Sequence, residues 1–122
     1  MLFRSIAIVD DDEDFRLATS HLVRSFGWNA CVFGSGNEFL CSGQLGKTSC
    51  LITDVRMPSM SGIEMHDCIL ALGYAPPTIF MTAYPTANLQ AKLNSKGVLV
   101  VLPKPLDADE MEHWISRALS DP

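Results

Sequence analysis

Short β-rich apolar runs alternate along this chain with stretches in which apolar residues recur every three or four positions. That alternation predicts parallel strands joined by crossover helices. Leu2 to Val9 is almost wholly apolar toward its end, as a central strand covered on both faces should be. From Glu13 to Phe26, the residues Phe15, Ala18, Leu22, Val23 and Phe26 share one helical face, and Gly27 supplies the stop. Ala30 to Phe33 reads as a second strand. Ser35 and Glu38 have capping-box spacing, which opens a short helix running to about Cys41, before the glycine-rich stretch Ser42 to Gly46.

The pattern then repeats. Cys50 to Thr53 is a buried strand ending at Asp54. Ser61 with Glu64 caps a helix whose predicted apolar face is Met65, Cys68, Ile69 and Leu72, closed by Gly73. Thr78 to Thr82 makes a fourth strand, Pro85 is placed to open a helix at its first position, and Gly97 precedes a fifth strand, Val98 to Leu102. Asp107 and Glu110 cap a last helix with Met111, Trp114, Ile115 and Ala118 as its buried stripe. Right-handed crossovers with helices on both faces close five such units into a doubly wound α/β fold, (βα)5, with strand order 2-1-3-4-5. No repeat or linker divides the chain, so residues 1–122 are expected to form a single domain.

Composition narrows the function. With 48% hydrophobic residues in 122, there is material for one sizeable core. A formal charge of -5 repels a polyanion, so this domain is not expected to bind nucleic acid directly. No apolar run is long enough for a bilayer and the start lacks a secretion-signal layout, which together predict a cytoplasmic protein without membrane contact. Cys31, Cys41, Cys50 and Cys68 form no Cys-x-x-Cys pair and read as small buried apolar groups. His21, His66 and His113 lie on three predicted helices and read as partly exposed; Trp28 and Trp114 read as packing.

The chemistry concentrates where the strands end. In the 2-1-3-4-5 order the first and third strands are neighbours at the switch in chain direction, where open α/β sheets place ligands. Asp10, Asp11 and Asp54 all emerge there. Three converging carboxylates need raised pKa values or a cation, and Mg²⁺ (or Mn²⁺) suits oxygen donors of this kind. Asp11 and Asp54 are the expected direct ligands. Lys104, between Pro103 and Pro105, brings a positive charge to the same edge, and Thr82 brings a hydroxyl. A carboxylate nucleophile, a cation and two donors are the requirements of phosphoryl transfer. Asp12 to Asp14 are otherwise explained as a helix start favoured by the dipole.

These residues in this order, the pair Asp10-Asp11, the stretch Asp54-Val-Arg-Met-Pro58 with Gly62, the pair Thr82-Ala83 and Lys104-Pro105, resemble the receiver domains of two-component response regulators, of the FixJ type. The resemblance covers essentially the whole chain and implies a flavodoxin-like fold. It implies that a sensor histidine kinase donates a phosphoryl group to Asp54, with Mg²⁺ held by Asp11, Asp54 and the backbone carbonyl of Arg56, and by Asp10 through water. It further implies that Thr82 moves toward the acyl phosphate and shifts the surface of the fourth helix, fifth strand and fifth helix, and that the face of the fourth helix and fifth strand is the homodimer surface by analogy. Ala83, Arg56, Tyr84 and Val101 occupy modulating positions, and Arg56 and Tyr84 flank the phosphoryl group in similar proteins. Val101 stands where the family usually has an aromatic residue. A cis Lys104-Pro105 bond is implied as well.

The Arg-Met-Pro-Ser-Met-Ser-Gly run resembles receivers that precede LuxR-type DNA-binding domains, so the implied partner is an output domain or effector, most simply that of a transcriptional regulator. The alternatives are a stand-alone shuttle receiver and a degenerate receiver acting as an interaction module. Other classes fit less well. A calcium loop starting at Asp10 would place Phe15 and His21 where Gly and Glu are required. A flavodoxin needs small residues where this chain has consecutive aspartates. An aspartyl-phosphate phosphatase would want a second aspartate where Arg56 stands. The expected activity is therefore self-phosphorylation and self-dephosphorylation only, without enzymatic turnover.

Overall fold

The computed structural model describes residues 5–120. Five parallel strands, β1 (Ser5–Val9), β2 (Asn29–Phe33), β3 (Cys50–Asp54), β4 (Thr78–Thr82) and β5 (Val100–Pro103), form one sheet in the order β2-β1-β3-β4-β5. Helices α1 (Glu13–Ser25), α2 (Gly36–Cys41), α3 (Gly62–Ala71), α4 (Ala87–Asn94) and α5 (Ala108–Leu119) connect and cover them, with a 3₁₀ turn at Leu45–Lys47. The doubly wound architecture and its strand order are as the sequence pattern predicts. Residues 2–4 of the anticipated first strand lie outside the described residues.

Alternation along the strands sorts the core into layers. Ile6, Ile8, Ile52, Ile79, Met81, Val100 and Leu102 pack beneath α1 and α5, against Val23, Met111 and Ile115. On the other face Ala7, Val9 and Leu51 meet Phe39 of α2 and Met65 and Ile69 of α3. Phe80 and Val101 join Val55, Val98 and Leu93 of α4. Because both faces are covered, the central strands are nearly continuous in apolar residues, and the chemistry is displaced to their ends.

The caps at Ser35, Ser61 and Asp107 are those predicted, and Asp12, from the predicted acidic helix start, caps α1. Asp12 accepts from the Asp14 and Phe15 amides at 3.0 and 3.3 Å, Ser35 from Glu38 at 3.1 Å, and Asp107 from Glu110 at 3.0 Å. Ser61 and Glu64 form a reciprocal capping box at 3.0 and 2.9 Å.

Several local expectations are corrected. Pro85 does not open α4; Thr86 does, because its hydroxyl accepts from the Leu89 amide at 3.1 Å, which no side chain before Pro85 supplies. β5 begins at Val100, since Val98 N still donates to Leu93 O at 3.2 Å and closes the helix end. β2 starts one residue earlier, at Asn29. In α1 the buried positions are Thr19, Ser20 and Val23, while Ala18 is exposed. In α3 the buried set is Gly62, Met65, His66 and Ile69; Cys68 and Leu72 face outward and His66 is buried. The capping box fixes the phase of α3, so the helix turns His66 rather than Cys68 toward Phe80, edge-on at 5.9 Å. Of the cysteines only Cys50 is fully buried, its thiol pushed up to about 12 by burial; Cys31 is half-buried, and Cys41 and Cys68 are exposed helix residues.

Candidate functional site

Every residue that the strand-end argument singled out, Asp10, Asp11, Asp54, Thr82 and Lys104, gathers at the carboxyl edge of the sheet. Asp10 follows β1 and is anchored there by its amide, which donates to Phe33 O at 3.1 Å. Its Oδ1 accepts from the Asp12 amide at 2.9 Å, and Arg16 Nη1 donates to its carbonyl at 2.7 Å. The same turn that caps α1 therefore orients the Asp10 carboxylate inward, where the residue is 1% exposed. Asp54 closes β3, half-buried, with Oδ1 accepting from the Arg56 amide at 3.3 Å.

Lys104 arrives from the far end of the chain. Its amide donates to Thr82 O at 2.8 Å, extending the β4–β5 pairing by one step, and the Lys104–Pro105 bond is cis, as implied. The side chain then reaches between the two carboxylates, with Nζ donating to Asp10 Oδ2 at 3.1 Å and to Asp54 Oδ2 at 3.3 Å. Burial works against the charge on Lys104, but the two carboxylates outweigh it and its pKa lies above the ordinary value. Burial raises the pKa of Asp10, and the Asp12 amide and Lys104 only partly offset that.

One carboxylate oxygen from each of Asp10, Asp11 and Asp54 lies within 4.8 Å of the others. Three carboxylates face a single ammonium, so negative charge is in excess at this edge. A hard divalent cation is the ligand that an all-oxygen set of this kind accommodates, and the donor chemistry fits one.

Beside the carboxylates lies a small cavity of about 150 Å³, lined by Asp54, Arg56, Thr82, Ala83, Tyr84 and Lys104. Thr82 is buried, and its Oγ1 accepts from the Tyr84 amide at 3.2 Å. Arg56 and Tyr84 are exposed at the rim. Val101, by contrast, is not at the cavity; it is buried among Phe80, Leu93 and Val98.

Three contributors escaped the sequence reading. Arg16 holds the Asp10 carbonyl. Phe15, counted only as part of a helical stripe, places its ring 4.1 Å from Lys104 Nζ. Gly62 appeared only as part of a motif, yet a Cβ there would collide with the Asp54 carbonyl oxygen and approach Phe80 to 3.0 Å. Its amide donates to Val55 O at 3.0 Å, so α3 starts hard against the turn that presents Asp54. No periodicity signals such a contact; only the fold does.

Comparison with known proteins bears on the same residues. The response regulator receiver domain family model matches residues 6–116. The response regulator protein TodT of Pseudomonas putida is 35% identical over 114 residues, covering 93% of this chain and 50% of TodT. The DNA-binding transcriptional regulator NtrC of Klebsiella pneumoniae is 34% identical over 118 residues, covering 96% of this chain and 25% of NtrC. The chain thus spans between a quarter and a half of these relatives. Among solved structures, the response regulator StyR superposes with a TM-score of 0.89 at 30% identity, covering 97% of this chain and 60% of StyR. FixJ-N superposes with a TM-score of 0.86 at 25% identity, covering 100% of this chain and 98% of that structure. With strand order, strand-end acidic cluster and family match in agreement, the chain belongs to the response regulator receiver domain family.

Proposed function

We propose that Asp54 is the phosphoacceptor of this receiver domain, and that it takes its phosphoryl group from the phosphohistidine of a sensor histidine kinase. The observation that carries this reading is the placement of Lys104 Nζ between Asp10 and Asp54, beside a third carboxylate from Asp11. An ionised carboxylate needs no general base. Its oxygen forms the new bond to phosphorus while the bond from phosphorus to the donor breaks, the electron pair leaving with the donor's nitrogen.

What this chain contributes is position and charge. Lys104 supplies a fixed cation to the oxygens of the incoming phosphoryl group, and Thr82 and the adjacent Ala83 border the cavity that receives it. Asp11, Asp54 and the backbone carbonyl of Arg56 would hold Mg²⁺ or Mn²⁺, with Asp10 bound through water. A divalent cation there neutralises the phosphoryl group and the excess carboxylate charge. Arg56 and Tyr84, at the rim, restrict the approach of water and prolong the acyl phosphate.

Thr82 is proposed to turn toward the phosphorylated Asp54 and release its contact with the Tyr84 amide, which biases the start of α4. The output reached through that surface is proposed to be a DNA-binding regulator, since NtrC among the relatives is described as a DNA-binding transcriptional regulator. Homodimerisation through the α4 and β5 face is part of the same proposal. Among the described residues no helix is long and apolar enough to cross a membrane, and a cytoplasmic setting is proposed with the rest.

The test is intact mass after incubation with a small phosphodonor such as acetyl phosphate. One added phosphoryl group that requires Mg²⁺ and disappears with a chelator is the expected result. No mass gain under any condition would overturn the reading.

A further inference from the structure

Lys104 carries three N–H donors on a flexible four-carbon stem, and only two of them are occupied by Asp10 and Asp54. The third side of the ammonium is closed by Phe15, whose ring centroid lies 4.1 Å from Nζ, well inside the reach of a cation–π contact. The lysine side chain is 19% exposed. Phe15 is anchored at its backbone and its side chain is packed against the core. It belongs to the first turn of α1, its amide donates to the Asp12 cap at 3.3 Å, its carbonyl accepts from Thr19 Oγ1 at 2.8 Å, and its partly buried side chain packs against the core under α1 and α5.

We propose that Phe15 is a positioning residue for phosphoryl transfer: its π face attracts and confines the Lys104 ammonium, holding it toward Asp54. The inference rests on the reading of Lys104 as the group that meets the phosphoryl oxygens. A hydrogen-bond acceptor on that side would compete with the carboxylates and draw the ammonium away. An aliphatic side chain would leave it free to turn outward into water. An aromatic ring does neither, because it attracts the cation without taking a donor from Asp10 or Asp54. When the phosphoryl group adds to Asp54, the ammonium needs to shift only within the arc that the ring leaves open.

If Phe15 acted by packing alone, any apolar residue of similar bulk would serve. Three variants separate the two: Phe15→Leu removes the ring, Phe15→Tyr keeps the π face, and replacement by pentafluorophenylalanine keeps the shape while reversing the ring's electrostatics. Two measurements apply. The first is the initial rate of phosphorylation by acetyl phosphate at saturating Mg²⁺. The second, on unphosphorylated protein, is the ¹⁵N signal of the Lys104 ammonium, which is seen when the group is held away from exchanging water.

The expected result is a rate about fivefold lower and a lost ammonium signal for the leucine and fluorinated variants, with the tyrosine variant within about twofold of wild type on rate. Wild-type behaviour of the fluorinated variant, or equal losses in the leucine and tyrosine variants, would overturn the proposal. The ammonium signal reports on the contact even if acetyl phosphate modifies none of the proteins. Failure of the phosphoacceptor reading is thereby distinguished from failure of this one.

Discussion

Lys104 Nζ lies 3.1 Å from Asp10 Oδ2, a contact that spans 94 positions of the chain and joins its first strand to its last. Asp10 is buried and half of its carboxylate's hydrogen bonding comes from the turn that starts α1, so the lysine completes its partners rather than decorating the surface. Replacing Lys104 by methionine keeps the apolar stem and removes the charge. Phosphorylation of Lys104→Met by acetyl phosphate is expected to slow about a hundredfold, the cost typical of losing one transition-state donor. Its affinity for Mg²⁺, followed by calorimetry, should rise, because a positive charge no longer competes beside the carboxylates. Weaker Mg²⁺ binding would show that the lysine organises the carboxylates more than it repels the cation.

Gly62 carries a second prediction, about stability. A methyl group there meets the Asp54 carbonyl oxygen and the Phe80 ring, both fixed by the sheet. Gly62→Ala should destabilise by about 1–3 kcal/mol in urea unfolding. Gly46→Ala is the control, since nothing lies within 4 Å of the added group, and it should change stability by less than about 0.5 kcal/mol. Equal midpoints for the two variants would mean that the turn after Asp54 can relax.

His66 makes stability depend on pH. It is buried against Phe80, and its Nδ1 has no hydrogen-bond partner among the described residues. Burial lowers its pKa below 6.5; Asp67 opposes that and Lys96 adds to it. Well above pH 6.5 both folded and unfolded chains hold the neutral ring, and protonation no longer favours the unfolded chain. As pH falls from 6.5 the unfolded chain binds the proton first, so stability declines until the folded pKa is passed. His66→Phe should flatten this decline in urea midpoints measured downward from pH 6.5. An unchanged slope would assign the acid sensitivity to other groups.

Thr82 lines the cavity and is hydrogen-bonded to the loop that leads into α4. Its hydroxyl accepts from the Tyr84 amide, three residues before α4 begins at Ala87, while Val101 places no aromatic ring behind it. Thr82→Ala should still accept a phosphoryl group, with stability reduced by about 1 kcal/mol for the lost hydrogen bond. Its α4 amides, Ala87–Asn94, should lose the change in hydrogen exchange that phosphorylation is expected to cause in the wild type. Preservation of that change would place the coupling elsewhere.

The layered fold was legible because strand apolarity and helix caps are local signals, and Ser35, Ser61 and Asp107 act as caps where their spacing indicated. The acidic edge was legible because parallel strand order turns sequence positions 10, 54, 82 and 104 into neighbours. What escaped has a physical reason in each case. Along α3 the set Met65, Cys68, Ile69 and Leu72 matches helical spacing as well as the observed set does, and the polarity of His66 disguised its burial. Pro85 suits a first helical position, but the hydroxyl of Thr86 gives a better-satisfied cap. Phe15 and Gly62 matter through contacts with residues far along the chain, Lys104 in one case and Asp54 with Phe80 in the other, which no local pattern encodes.

One carboxylate, Asp54, is proposed to take the phosphoryl group while its neighbours Asp10 and Asp11 serve the cation. The direct measurement compares wild type with Asp54→Asn by mass after phosphorylation by acetyl phosphate in Mg²⁺, with the modified peptide mapped. A phosphoryl group confined in the wild type to the peptide containing Asp54, and abolished in Asp54→Asn, is the expected result. Modification that persists in Asp54→Asn, at Asp10, Asp11 or any other residue, would contradict the account.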